Sequence, residues 1–332
     1  MKAVGSMARI RDLGGQIGGV VAPLSSLLIL TVALAIIAGP EGFRTRGNWN
    51  TIVQSTAVVA ILAVAETVVI ISGHIDLAVG RVLALSGVAA ASAMVDYRCS
   101  GWAGAAAALL TGCLCGGVSG VLVAYGRMPA FIATLGMMGV ANGLALMVAR
   151  DANISGLAPG FERFALGHVF GSSRSEGIPV PLLLMLAASL AVHLLLSRSA
   201  WGRHVYAVGG NADAARLSGI SLRRMTITVF LLSGFLSGFA ALIHVARTGG
   251  GQPTAGVGLE LQAIAATVIG GTSLSGGSGN VAGTLIGAFL MAIIQNGCDL
   301  KGIHPHFQVI IIGGVIWLAA LYDSFRRRGA AR

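Results

Sequence analysis

Residues 51–73, TIVQSTAVVAILAVAETVVIISG, decide the fold. As a helix this run spans ~35 Å, enough to cross a hydrocarbon layer of ~30 Å, and Glu66 is its one ionisable residue. Working outward, comparable apolar runs occupy about 20–39, 79–96, 102–124, 129–149, 179–197, 225–247, 259–271, 280–297 and 306–322. The runs at 79–96 and 280–297 are marginal for a span, and 259–271 is too short. The chain has 332 residues, is 55% hydrophobic and only 10% charged, and has a mean hydropathy of +0.84. A soluble domain of this length carries far more charge. The expected fold is therefore all-α, a polytopic transmembrane helical bundle of about ten spans with broken or re-entrant segments.

The net charge of +10 does not point to nucleic acid. Its basic residues lie in loops and tails rather than on a stripe interleaved with aromatics. Residues 1–19 are polar and basic and lack the short apolar core and small-residue cleavage site of a signal peptide, so this tail is expected to be retained. An even number of spans places both termini on one side. Grouping them with the turns at 72–81, 125–128 and 271–280 and the loop at 198–224 collects 14 of the 22 Lys and Arg. The positive-inside bias makes that side cytoplasmic.

Glycine is costly inside a helix in water, by about 1 kcal/mol relative to Ala, yet the chain has 49. Gly116 and Gly120, Gly139 and Gly143, Gly234 and Gly238, and Gly283 and Gly287 form G-x-x-x-G pairs that allow helices to approach closely. Packing within the chain is the expected use of each, with dimerisation through one of them as the minority reading. Two stretches break the helical pattern: residues 73–80, GHIDLAVG, and residues 249–279, which hold Pro253 and clustered glycines. Irregular backbone at membrane depth is tolerated where it is buried in protein or lines a watery cavity. For 249–258 that reading stands beside a plain interfacial loop.

One of the few long polar stretches, 201–224, reads WGRHVYAVGGNADAARLSGISLRR. A short surface helix is expected in it, with Asn211 as N-cap and Gly219 near its end. Asp213, Ala214, Ala215 and Gly219 form an acidic-Ala-Ala-x3-Gly pattern similar to the Glu-Ala-Ala loop that membrane subunits of ATP-driven importers present to their ATPase. GHIDLAVG resembles the GGIDLSVG signature of ribose-type sugar importer permeases, with His74 in place of Gly and Ala78 in place of Ser. FIATLG at 131–136, the stretches 202–220 and 270–283, and 252–256 with Glu260 resemble the same family, in the same order along the chain.

The resemblance implies the membrane-spanning permease subunit of a binding-protein-dependent ABC importer for a monosaccharide or related polyol. It implies cytoplasmic ABC ATPase subunits that carry the ATP and Mg, a periplasmic sugar-binding protein, and a second permease copy as partners, in a bacterial inner membrane. No nucleic acid is expected, nor any cofactor on this chain. The implied organisation is a cytoplasmic tail over 1–19, a permease domain over 20–322 with an ATPase-coupling loop at 198–224, and a basic cytoplasmic tail over 323–332. Gly210, Asn211, Asp213, Ala214, Ala215, Arg216 and Gly219 are the coupling candidates. A phosphate-binding loop of the G-x4-G-K type needs a Lys after Gly, and Lys2 and Lys301 follow Met1 and Leu300. Gly270, Gly271, Gly276, Gly277 and Gly279 are therefore expected to form a tight turn or gate, not a nucleotide loop.

Ionisable residues within a membrane are candidates for function by default. A charged, unpaired Glu66 costs ~2.5 kcal/mol or more in lipid. It is read equally as a contact to a sugar hydroxyl and as an interhelical bond to Thr67, Asn142 or Gln295. Asp76 and Glu260 lie near segment ends, where capping is the commoner role. With Thr134, Asn142, Gln262, Gln295 and Asn296 they complete the set of polar groups that could line a path. Cys113 and Cys115 fall on different helix faces, whereas Cys99 and Cys298 share one side and could bridge. The histidines show no ligand spacing. A proton- or sodium-coupled transporter with Glu66 as coupling carboxylate is the alternative; it leaves the Asp213 loop without a use. A channel would need a ring of repeated charges or a filter-like loop, and neither is present.

Overall fold

The computed structural model describes residues 45–170 and 177–330, with single positions at 31 and 43. The first apolar run, 20–39, and the tail 1–19 lie outside the described residues, apart from position 31. The decisive run forms α1 (Arg46–Ile71), started by the Thr45 side chain, which accepts the Asn48 amide at 3.2 Å. It sits at the centre: 89% of its apolar window is buried within the protein, against about a third for α3 (Gly101–Ala124), α4 (Ala130–Ala149) and α6 (Val180–Arg198). Those three turn apolar faces outward. Ser100 caps α3, and Pro129 and Pro179 mark the starts of α4 and α6.

Among the described residues six helices are long and apolar enough to cross a membrane: α1, α3, α4, α6, α9 (Leu222–Thr248) and α11 (Val281–Leu300). The run at 280–297, marginal in sequence, is thus long enough once folded. Shorter apolar helices are α2 (Val79–Val95), α10 (Leu259–Ile269) and part of α12 (Pro305–Ala330). Helix α12 continues to Ala330, through most of the stretch expected to be a tail from 323. Two pairs of two-residue strands are the described β-structure: β1 (Ile154–Ser155) with β4 (Gly250–Gly251), and β2 (His168–Val169) with β3 (Ile178–Pro179). A single-turn helix, α5 (Arg163–Leu166), lies between them.

Helices α2 and α10 are short because each follows a stretch of irregular backbone folded into the bundle. Gly251 lies against Gly87 and Val88, and Gly256 against Gly80, so five residues run down about 10 Å of α2 before α10 begins. This is a re-entrant segment and not a plain surface loop. Its polar backbone is sheltered by protein, as irregular chain at this depth requires.

Three of the four G-x-x-x-G pairs are intramolecular crossings. Gly112, Gly116 and Gly120 of α3 meet Phe230, Gly234, Gly238 and Ile227 of α9 so closely that a Cβ on Gly112, Gly116 or Gly234 would overlap the facing carbonyl. Gly283 and Gly287 of α11 do the same against Gly270 and Ala266. Among the described residues, nothing lies within 4 Å of where a Cβ on Gly139 or Gly143 of α4 would stand. All four cysteines are free, so Cys99 and Cys298 do not bridge.

Candidate functional site

The polar candidates separate into three places. The first is a cavity of about 410 Å³ walled by α1, α9, α10 and α11, a size typical of small-molecule sites. Gln262, Gln295 and Asn296 line it as expected, joined by Gln54, His244 and Arg247. Thr51 and Asp299, at the first turns of α1 and the end of α11, place its mouth at one end of the bundle. Asn296 also pairs reciprocally with Asn48, at 3.0 and 2.7 Å, which fixes one wall. Gln54 was legible as a polar residue on an apolar run. His244 and Arg247 stand three apart at the end of theirs and so share a face, a spacing that marks them together.

The second place is the junction where α2 and α10 begin. Asp76 is buried, accepting the Ala78 amide at 2.9 Å and the Ser233 hydroxyl at 2.8 Å. Thr134 is fully buried and clamps the same segment, accepting the Leu77 amide at 3.1 Å and lying 3.4 Å from the Ile75 carbonyl. Arg81 reaches the Ala255 carbonyl at 3.3 Å, tying the second irregular segment to the first. Glu260 accepts the Gly258 amide at 3.2 Å through one carboxylate oxygen; its other oxygen has no partner.

Glu66 is fully buried, and neither oxygen has a hydrogen-bond partner among the described residues. The groups that bear on it are the Asp76 amide and the carboxylates of Asp76 and Glu260. None of its expected partners takes it: Thr67 bonds Thr284 at 2.6 Å and Gln295 lines the cavity. His74 packs its ring on Phe230, with centroids 5.8 Å apart. Asn142 stands half-buried on α4, outside the cavity lining.

The third place is at the opposite end. Helix α7 (Ala200–Gly210) is capped by Ser199, and α8 (Ala212–Leu217) by Asn211, whose side chain accepts the Ala214 amide at 2.9 Å. Gly219 follows at φ +85°, the left-handed position expected past a helix end. Asp213 and Arg216 pair on the surface at 3.3 Å. Ala215 faces inward and is buried in the main core, whereas Leu217 is 86% exposed. Every residue from Asn211 to Gly219 except Ala215 is exposed, with Leu217 the large apolar residue that pattern reading passed over.

Behind α7 the expected glycine turn, 270–280, meets the end of α1. The Gly277 amide donates to the Ile71 carbonyl at 2.8 Å, Gly209 lies against both, and the Tyr206 hydroxyl donates to the Gly279 carbonyl at 2.8 Å. Burial pushes the Tyr206 phenol up from its ordinary value. Gly271, Gly276, Gly277 and Gly279 all have positive φ, so this turn depends on glycine.

A cavity within a bundle of apolar helices, a re-entrant segment at its floor and an exposed helix at the far end describe a membrane transport subunit. The family described as branched-chain amino acid transport system / permease component matches residues 49–320. The chain belongs to this family. It is 44% identical over 301 residues to the ribose import permease protein RbsC of Escherichia coli strain K12, covering 90% of this chain and 92% of that one. It is 38% identical to the Bacillus subtilis protein of the same name, covering 91% of each, and 35% identical to the L-arabinose ABC transporter permease protein AraH of Azospirillum brasilense, covering 91% and 86%. No solved structure matches it. The chain is thus an ABC permease, a transport subunit and not the hydrolytic enzyme.

Proposed function

We propose that this permease carries a monosaccharide or related polyol, handed over by a periplasmic binding protein, through the cavity between α1, α9, α10 and α11. The observation that carries the reading is the cavity wall: the amides of Gln54, Gln262, Gln295 and Asn296, which both donate and accept, stand beside Arg247 and Asp299, a lining rich in hydrogen-bonding groups that suits a polyhydroxyl solute. The near full-length similarity to permeases named for ribose and arabinose supports the same class. In this reading the cavity mouth faces the periplasm, and the α7–α8 end, with both termini, faces the cytoplasm. ABC ATPase subunits holding ATP and Mg dock on the exposed face of α8, and a second permease copy completes the assembly.

The test is uptake into vesicles holding the permease, a cognate ABC ATPase and its binding protein, with D-ribose, D-allose, L-arabinose and D-fructose as probes. Nucleotide-dependent accumulation of at least one is expected. Accumulation by the permease alone, or of none of the four, overturns the proposal.

A further inference from the structure

The exposed face of α8 and the cavity lie at opposite ends of the bundle, and at one point between them three segments meet backbone to backbone. Gly209, the penultimate residue of α7, contacts the backbone of both Ile71 and Gly277. A Cβ there would overlap the Ile71 carbonyl oxygen and come within 2.8 Å of the Gly277 amide, the two partners of a hydrogen bond already present. Gly276 packs in turn on Gly209 and Gly73: its Cβ would stand 2.7 Å from the Gly209 carbonyl and 3.0 Å from the Gly73 Cα. Three segments distant in sequence therefore meet backbone to backbone, with no side chain between them to absorb a displacement.

The segments that meet there are the ends of the cavity walls. Ile71 ends α1, and residues 270–280 join α10 to α11. The fourth wall, α9, is also tied to α7, by the Trp201 indole donating to the Thr228 hydroxyl at 2.9 Å. We propose that Gly73, Gly209, Gly276 and Gly277 form a mechanical joint through which displacement of the α7–α8 pair is transmitted to α1 and to the α10–α11 turn, and thereby to the cavity. This rests on the reading of α8 as the ATPase-docking helix. Gly209 is then a positioning residue: it touches neither partner nor solute and acts by letting three backbones close on one another. Tyr206 is its brace, through Gly279. Packed backbone of this kind transmits shifts because it has few intermediate arrangements to relax into.

The experiment compares wild type, Gly209→Ala, Tyr206→Phe and, as a control in open space, Gly139→Ala, each in vesicles with the same ATPase and binding protein. Co-purification of the ATPase, ATP hydrolysis and uptake of the four probe sugars are measured together. Gly209→Ala is expected to keep the ATPase bound and hydrolysing while solute moved per ATP falls about tenfold, within the range of known coupling effects. Tyr206→Phe, which removes one hydroxyl and keeps the ring, should shift the same ratio in the same direction by a smaller factor, and carries the test if Gly209→Ala fails to insert. Gly139→Ala should match wild type. An unchanged ratio in Tyr206→Phe together with an unchanged ratio, or non-insertion, in Gly209→Ala overturns the joint. Loss of ATPase binding in Gly209→Ala also overturns it, since the contact would then belong to docking. Wild-type vesicles that move no sugar overturn the transport reading and the joint with it.

Discussion

Glu66 occupies the central helix, where an exposed charge would cost the most, and the fold's response is to enclose it in protein, with the Asp76 amide the donor that bears on it. Asp76, by contrast, is anchored by a backbone amide and a hydroxyl, which explains a carboxyl at a break between helices without any solute. The two acids therefore have different expected sensitivities. Glu66→Gln keeps the shape and removes the ionisable group; uptake by the complete transporter should persist, and its complete loss would favour an ion-coupled role. Thr134→Val should leave the partly buried Leu77 amide without its acceptor, lowering stability by roughly 1 kcal/mol, read as a fall in thermal midpoint in detergent. A midpoint equal to wild type would show that the clamp is dispensable. Thr134 and Gln262 looked alike in sequence, as polar residues on apolar runs. Whether such a group lines a path or fastens a neighbouring turn depends on what the other segment places opposite it, and that is not written in the local pattern.

Elements show the same division. Run positions and caps were legible because hydropathy and capping chemistry are local: Asn211 and Gly219 bound α8 as their residue types dictate. Packing within the chain, the expected use of each glycine pair, holds for three of the four; which helix each pair meets was not legible, because G-x-x-x-G states only that a close approach is possible. Gly234→Ala forces a methyl into the Gly112 carbonyl at the α3–α9 crossing and should sharply reduce folded yield, whereas Gly139→Ala, facing open space, should be recovered at wild-type level. Equal recovery of the two would contradict the crossing. On α8 Ala215 turns inward and Leu217 outward, so the docking face proposed above would include Leu217. Leu217→Asp should therefore insert normally yet weaken ATPase association by about tenfold or more, as loss of an apolar anchor does at other interfaces. Undiminished co-purification would remove α8 from the interface.

At the scale of the whole molecule, the bundle is asymmetric along its length: a polar cavity opens at one end, and a glycine joint with an exposed helix closes the other. Charge bias anticipated one part of this, because it grouped 72–81, 198–224 and 271–280 on one side, and these segments do converge. Bias anticipated the grouping because loops on the same side share both charge selection and the space in which they meet. Charge bias could not anticipate how the shorter helices are completed: α2 has 17 residues and α10 has 11, and irregular backbone packed into the bundle precedes each. The same asymmetry makes orientation measurable with a residue the protein already has. Cys99 is exposed at the cavity end, while Cys115 and Cys298 are buried and Cys113 is partly so. A membrane-impermeant maleimide applied to spheroplasts should modify Cys99 directly. In a Cys99→Ser background, Ser218→Cys, exposed after α8, should react only once the membrane is permeabilised. The reverse pattern would place the docking helix outside, where no ATPase could reach it, and would invert the direction of transport that the cavity implies.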